Sequence, residues 1–185
     1  ALFSDGTDQE ESNEETQEVQ VTVSVSKDGK FLNDKDGNPM AGRSITLTGK
    51  NTYNMDDALK LAHDLYYPGG AEAGYDYHED ENGIYDGIIY KLWGYNKNDV
   101  PNIKSILNHD TRNLGSALSR TVQNGDELHF FIQAQNGKDK FAFFTETEAT
   151  YTQGQEITLK LRQRNDFGGC FSNCTGASIY INGVK

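Results

Sequence analysis

Four histidines (His63, His78, His109 and His129) and 28 acidic residues are the side chains from which this 185-residue chain could build chemistry. The densest grouping is Asp76-Tyr77-His78-Glu79-Asp80-Glu81-Asn82-Gly83, in which Asp76, His78, Asp80 and Asn82 fall at every second position. Oxygen donors gathered this way suit Ca2+, which takes roughly six to eight of them, and an EF-hand loop closes on a bidentate Glu at about its twelfth position. Counted from Asp76 that position is Gly87, and counted from His78 it is Ile89, so the loop pattern is incomplete. A solvated acidic loop is the simpler reading, with Ca2+ as the alternative. Asp34-Lys35-Asp36-Gly37-Asn38 lacks a first ligand, because Leu32 stands in that place, and a hairpin turn accounts for it.

No Ser/His/Asp, Cys/His or HExxH arrangement assembles among these groups, and the expectation is a protein that is not an enzyme. Adjacent His109-Asp110 could pair, but adjacency in sequence does not make a triad. A paired-carboxylate glycosidase is the enzymatic alternative, since acids are abundant. Cys170 and Cys174 are too close for metal work and lack the second cysteine pair of a zinc site. They are expected to close a small disulfide in an oxidising compartment, two free thiols being the alternative. Tyr85, Tyr90, Trp93 and Tyr95 cluster around one strand and offer flat apolar faces with polar tips, the chemistry of stacking on sugars or gripping a protein. Trp93 is expected in the core, leaving Tyr95 as the exposed contact.

Charge narrows the partners. Residues 1–18 carry seven acids and no Lys or Arg, which leaves 21 acids against 17 bases, a difference of -4, in the remainder. The acidic, polar start reads as a flexible tether. Nucleic acid is excluded as a partner, because phosphate neutralisation needs a basic patch. No run is long enough for a membrane-spanning helix, so no membrane insertion is expected. The 10 Tyr and 9 Phe supply much of the core, and 19 Gly suit a turn-rich sheet.

Asn54 to Tyr67 is the one convincing amphipathic helix, with Asn54 as N-cap and Asp56 and Asp57 in its first turn. Ala58, Leu59, Ala62, Leu65 and Tyr66 make its apolar stripe, and Asp56, Asp57, Lys60, His63 and Asp64 its polar face. Before it, Val19, Val21, Val23 and Val25 alternate with polar residues as a half-buried strand, and Ile45 and Leu47 mark a second. After it, residues 69–87 read as a long loop, Ile88 to Trp93 as a strand, and residues 96–118 as an irregular connection with at most a helical turn around Ile103 to Leu107. Leu128, Phe130 and Ile132 alternate with His129 and Phe131, which places His129 outward; Phe141 to Phe144 is the expected hairpin partner. Ile157, Leu159 and Leu161, then Ala177, Ile179 and Ile181, alternate as two further strands.

Met55-Asp56-Asp57-Ala58-Leu59-Lys60, Leu92-Trp93-Gly94-Tyr95 and Asn124-Gly125-Asp126-Glu127-Leu128, in that order after a strand, hairpin and strand, are similar to the transcobalamin-C-terminal-like β-grasp domain of bacterial secreted and cell-wall proteins. The resemblance covers roughly residues 19–147 and departs from the family in the insertions at 69–87 and 96–118. It implies an α+β fold, a β-grasp-like mixed sheet around one principal helix, with additional C-terminal strands. The resulting layout is an acidic tether (1–18), a β-grasp-like domain (19–147) and C-terminal strands (148–185) that resemble the start of an immunoglobulin-like module. The expected function is non-catalytic binding or adhesion, extracellular, in a secreted or cell-wall-attached bacterial protein, with a protein or glycan as partner. A corrinoid-like small molecule or a glycan bound by the domain, or a calcium-stabilised spacer, are the alternatives. No cofactor is expected unless Ca2+ fills the acidic loop.

Overall fold

A computed structural model of the chain describes residues 16–78, 87–115, 118–134, 141–145, 150–164 and 171–178. Among the described residues the fold is mixed α+β, mostly strands with two helices. In chain order these are β1 (Gln17–Lys27), β2 (Lys30–Phe31), β3 (Arg43–Lys50), β4 (Tyr53–Asn54), α1 (Met55–Tyr66), α2 (Gly70–Gly74), β5 (Asp76–His78), β6 (Ile88–Leu92) and β7 (Tyr95–Asn96). There follow β8 (Ile103–Leu107), β9 (Asp110–Gly115), β10 (Thr121–Val122), β11 (Glu127–Ile132), β12 (Ala142–Phe144), β13 (Leu161–Arg164) and β14 (Phe171–Asn173).

The main sheet is ordered around β1. One edge of β1 pairs antiparallel with β3 and, further along, with β2; its other edge pairs parallel with β11. β11 continues antiparallel to β8, and β8 to β9. Alternation sends Val19, Val21, Val23 and Val25 to one face, where they meet Ile45, Leu47, Leu128, Phe130 and Ile132 in the core beneath α1. The register places Ser24 opposite His129 and His129 opposite Ile106 on the other face. That face is also covered: Ser24 and Ile106 are both buried.

α1 follows from its cap. The Asn54 side chain accepts from the Asp57 N–H at 2.9 Å, and the Asp57 carboxylate accepts from the Asn54 N–H at 3.1 Å, a reciprocal capping box. Tyr67 turns extended ahead of Pro68 and ends the helix. The buried stripe is Met55, Ala58, Leu59, Ala62 and His63, a helical series that starts at Met55. His63 therefore faces the core and not the solvent, while Leu65 is exposed.

Three further corrections concern the connections. Residues 103–115, expected to be irregular, form β8 and β9, two strands of the main sheet. Ile103, Ser105, Ile106 and Leu107 are all buried because the strand is covered on both faces, which erases the alternation by which a half-exposed strand is recognised. Asn108 and His109, at φ 50° and 58°, make the tight two-residue turn between them. The segment after α1, expected to be loop, folds as α2 and β5; its acidic continuation, residues 79–86, lies outside the described residues. Phe141 to Phe144 does not pair with β11, whose edges are both occupied; β12 joins β13 and β14 in a separate antiparallel sheet. Ile157 and Leu159 lie outside β13, and Ile179 and Ile181 lie outside the described residues. The sheet of β12 to β14 spans the expected boundary at 147.

Replacing Asn54 by Ala removes the side-chain half of the cap and is expected to destabilise the fold by about 1 kcal/mol. A lower urea midpoint with an unchanged slope is the result that checks it.

Candidate functional site

Two places in the structure gather polar chemistry, and a third uses it for packing. The third comes first because it fixes the arm formed by β5, β6 and β7. His63 sits fully buried among aromatic rings, 5.1 Å from Tyr75, 4.7 Å from Trp93 and 5.8 Å from Tyr67 between ring centroids. Its Nδ1 lies 2.8 Å from the Leu59 carbonyl, and its Nε2 accepts from the Trp93 N–H at 3.1 Å. One nitrogen donating and the other accepting defines a neutral imidazole. Burial pushes its pKa down from 6.5 to about 4, against the opposing Leu59 carbonyl and the Asp64 charge.

Trp93 begins the turn between β6 and β7, at φ 50°, and is buried with its Nε1 donating to the Asn33 carbonyl at 2.8 Å. A left-handed Trp is unusual; here it is held at both its backbone and its indole N–H. Gly94 follows at φ 79°, and a Cβ there would sit 2.3 Å from the Tyr67 hydroxyl. Trp93 therefore serves as a buried clasp between the arm and α1. Of the other aromatic candidates, Tyr90 and Tyr95 are exposed, each with a lysine over its ring: Lys97 at 5.0 Å and Lys27 at 5.4 Å. Tyr85 lies outside the described residues. The acidic-loop candidates are only partly described. His78 Nε2 pairs with Asp76 at 2.9 Å and its ring meets Tyr90 edge-on; Asp80 and Asn82 lie outside the described residues. Cys174 is half-buried, and Cys170 lies outside the described residues. Asp34 anchors the 34–38 turn, accepting from the Asp36 and Asn38 N–H groups at 2.9 and 2.8 Å, with Arg43 3.3 Å away.

The first polar place is a cleft of about 520 Å³ lined by Lys27, Asp28, Asn98, Asp99, Val100, Pro101 and Gln133. It lies where β1 ends and the loop after β7 folds back. Asp28 and Gly29, at φ 51° and 72°, make the tight β1–β2 turn, and Asn96 accepts the Asp99 N–H at 3.0 Å to shape the loop. The Gln133 N–H donates to the Asn102 carbonyl at 2.9 Å and ties the cleft to the end of β11. Two carboxylates, two amides and one ammonium line the cleft, the Lys27 ammonium being paired with the Asp28 carboxylate. Lys27 also lies over one face of the Tyr95 ring, which puts this exposed tyrosine next to a lining residue of the cleft.

The second lies on the face of the main sheet away from α1. Glu127 and His129 are two residues apart on β11 and so share that face; His109 reaches them from the β8–β9 turn. His109 Nε2 stands 3.1 Å from a Glu127 oxygen, and His129 Nε2 stands 3.9 Å from the same oxygen. One ligand atom from each of the three residues lies within 4.8 Å of the others. Phe143 stacks on His109 at 4.4 Å and Phe141 meets His129 edge-on at 5.1 Å. Burial, and then the neighbouring His109, push His129 down from 6.5 to about 4. Its Nε2 makes no hydrogen bond among the described residues. Sequence reasoning did not join these three residues. The available signal was Glu127-Leu128-His129 on an alternating strand; the missing one was the strand and turn that deliver His109.

Compared with protein-family models, with curated proteins and with solved structures, the chain finds no match in any of the three. Among the described residues, no helix is long and apolar enough to cross a membrane.

The lowered pKa of His63 carries a sign. The unfolded chain takes up the proton first, so the stability is complete above about pH 6.5 and is lost as pH falls toward 4. The full loss from His63 is roughly 3 kcal/mol. His129 contributes in the same direction. Thermal melts between pH 7 and 4 are expected to show a falling midpoint in the wild type and a flatter, still sloping, profile in His63→Gln.

Proposed function

We propose that this chain is a non-catalytic binding module of an extracellular bacterial protein, secreted or attached to the cell wall, built on a β-grasp-like frame and engaging glycan through its polar cleft. The frame is supported by the strand order β3-β1-β11-β8-β9, with the parallel β1–β11 pair at the centre and α1 across one face. The resemblance of the Asp57-Ala58-Leu59-Lys60 helix and the Asn124-Gly125-Asp126 turn to the transcobalamin-C-terminal-like domain points the same way. The expected tether of residues 1–18 gives way to β1 at Gln17, and the six acids and no base among residues 1–16 suit a tether that holds the domain away from a surface.

The observation that carries the ligand class is the cleft itself. Asp28, Asp99, Asn98 and Gln133 line one concavity, and Tyr95 stands beside it. Sugar hydroxyls each donate and accept, so mixed carboxylate and amide walls match them, and a tyrosine face covers the apolar side of a pyranose ring. The cleft is open and formed by turns on a sheet, a usual placing for recognition residues.

The test is a glycan array followed by titration calorimetry on the best ligand. Tyr95→Ala and Asp99→Ala are each expected to weaken binding at least about tenfold, the loss of roughly 1.4 kcal/mol, without changing the melting temperature by more than a few degrees. Binding that survives both substitutions would remove the cleft from the reading. Turnover of a glycan or peptide abolished by one carboxylate substitution would overturn the non-catalytic assignment.

A further inference from the structure

We propose that His109, Glu127 and His129 form a binding site for a divalent transition-metal ion of the Zn2+ type, on the sheet face opposite α1. The inference does not depend on the glycan reading, because it uses different residues on a different part of the molecule.

The donor set is the first argument. Two imidazole nitrogens and one carboxylate oxygen are borderline ligands that suit Zn2+ and its neighbours, and poorly suit Ca2+ or Mg2+, which prefer oxygen alone. Spacing is the second. Bonds of about 2.0–2.1 Å in a four-coordinate site place adjacent ligand atoms about 3.3 Å apart. The separations of 3.1 Å for His109 to Glu127 and 3.9 Å for His129 to Glu127 bracket that figure. Small side-chain rotations would equalise them.

His129 lacks a partner that a bound cation would supply. Its Nε2 is buried, stands 3.9 Å from Glu127, beyond hydrogen-bond distance, and has no hydrogen-bond partner among the described residues. An unpaired polar atom in such a place is costly, and a cation bound between it and the carboxylate would satisfy both. An ion pair between His109 and Glu127 alone leaves this atom unexplained.

Preorganisation is the fourth. His129 and Glu127 are on a central strand, and His109 is on a two-residue turn rather than a long loop. Asn108 clamps that turn to the strand: its Oδ1 accepts from the Glu127 N–H at 2.8 Å, and its own N–H donates to the Glu127 carbonyl at 2.9 Å. Phe141 and Phe143 cover the two imidazoles and limit the water that would compete for the ion. Three protein ligands leave at least one coordination position for water or for a donor from a partner.

The test uses the full chain stripped with chelator and dialysed, then titrated with Zn2+ by calorimetry and with Co2+ by visible absorption. One ion per chain is expected, with a Kd at or below about 10 µM, and the intense Co2+ bands of a low-coordinate nitrogen and oxygen site. His109→Ala and Glu127→Gln, both at partly exposed positions, are expected to fold and to weaken binding by at least about tenfold each. His129→Ala is expected to abolish it, with circular dichroism separating lost binding from lost folding. His78→Ala leaves the affinity unchanged. Wild-type protein that takes up neither ion at 100 µM (about ten times the expected Kd) would overturn the proposal, as would binding unaffected by His109→Ala and Glu127→Gln, or binding lost with His78.

Discussion

The parallel register between β1 and β11 is the constraint on which the rest depends. It sets Val23 beside Leu128 and Val25 beside Phe130 on the helix side, and Thr22 beside Glu127 and Ser24 beside His129 on the other. Strand side chains alternate strictly, so a slip of one residue would drive Glu127 and His129 under α1 and expose Phe130. Burial of four valines from one strand opposes such a slip, because a one-residue shift exposes apolar area worth roughly 1.5–3 kcal/mol per side chain. The apolar face therefore positions the polar one. The histidine and glutamate cluster exists only because the core on the opposite side is correctly aligned.

A second organising contact is the docking of the β5–β7 arm on α1. His63 serves as a hydrogen-bond acceptor for a backbone N–H of another element, and this explains why a histidine occupies a fully buried position in a helix stripe. A leucine there would fill space but leave the Trp93 N–H unpaired. Tyr75 adds a hydroxyl hydrogen bond to Asp56 on the same helix, so the arm is tied at two places along α1. The turn carrying Trp93 and Gly94 is shaped to this task, with Gly94 required by the Tyr67 hydroxyl pressed against it.

Much of this was legible in the residues. The four alternating valines, the Asn54 cap and the burial of Trp93 follow from local rules, and the structure agrees with each. What local rules did not reach was β8. Its pattern Ile103-Lys104-Ser105-Ile106-Leu107 has no alternation, because Ile103 and Leu107 face the helix side while Ile106 faces the aromatic cover. Missing β8 meant missing the turn that presents His109, and with it the cluster. The expectation for His63 fails for a related reason: counting Leu65 into the apolar stripe turns the stripe away from His63, whereas Leu65 is exposed and His63 takes the buried edge beside Leu59. Its polarity agreed with that count, and only the N–H of Trp93, 30 residues away, reverses it.

The single tryptophan occupies an instructive place for anyone who follows this protein by light. Its indole is wedged at the seam between α1 and the arm, its ring centroid 4.7 Å from that of the neutral, buried His63. Intrinsic fluorescence therefore reports first on that seam, and on the main sheet only through the core cluster that the indole shares with it. If the two events are separable, emission and far-ultraviolet dichroism will trace different transitions on the same sample. The chain thus carries a built-in probe of whether the arm and the sheet unfold as one unit.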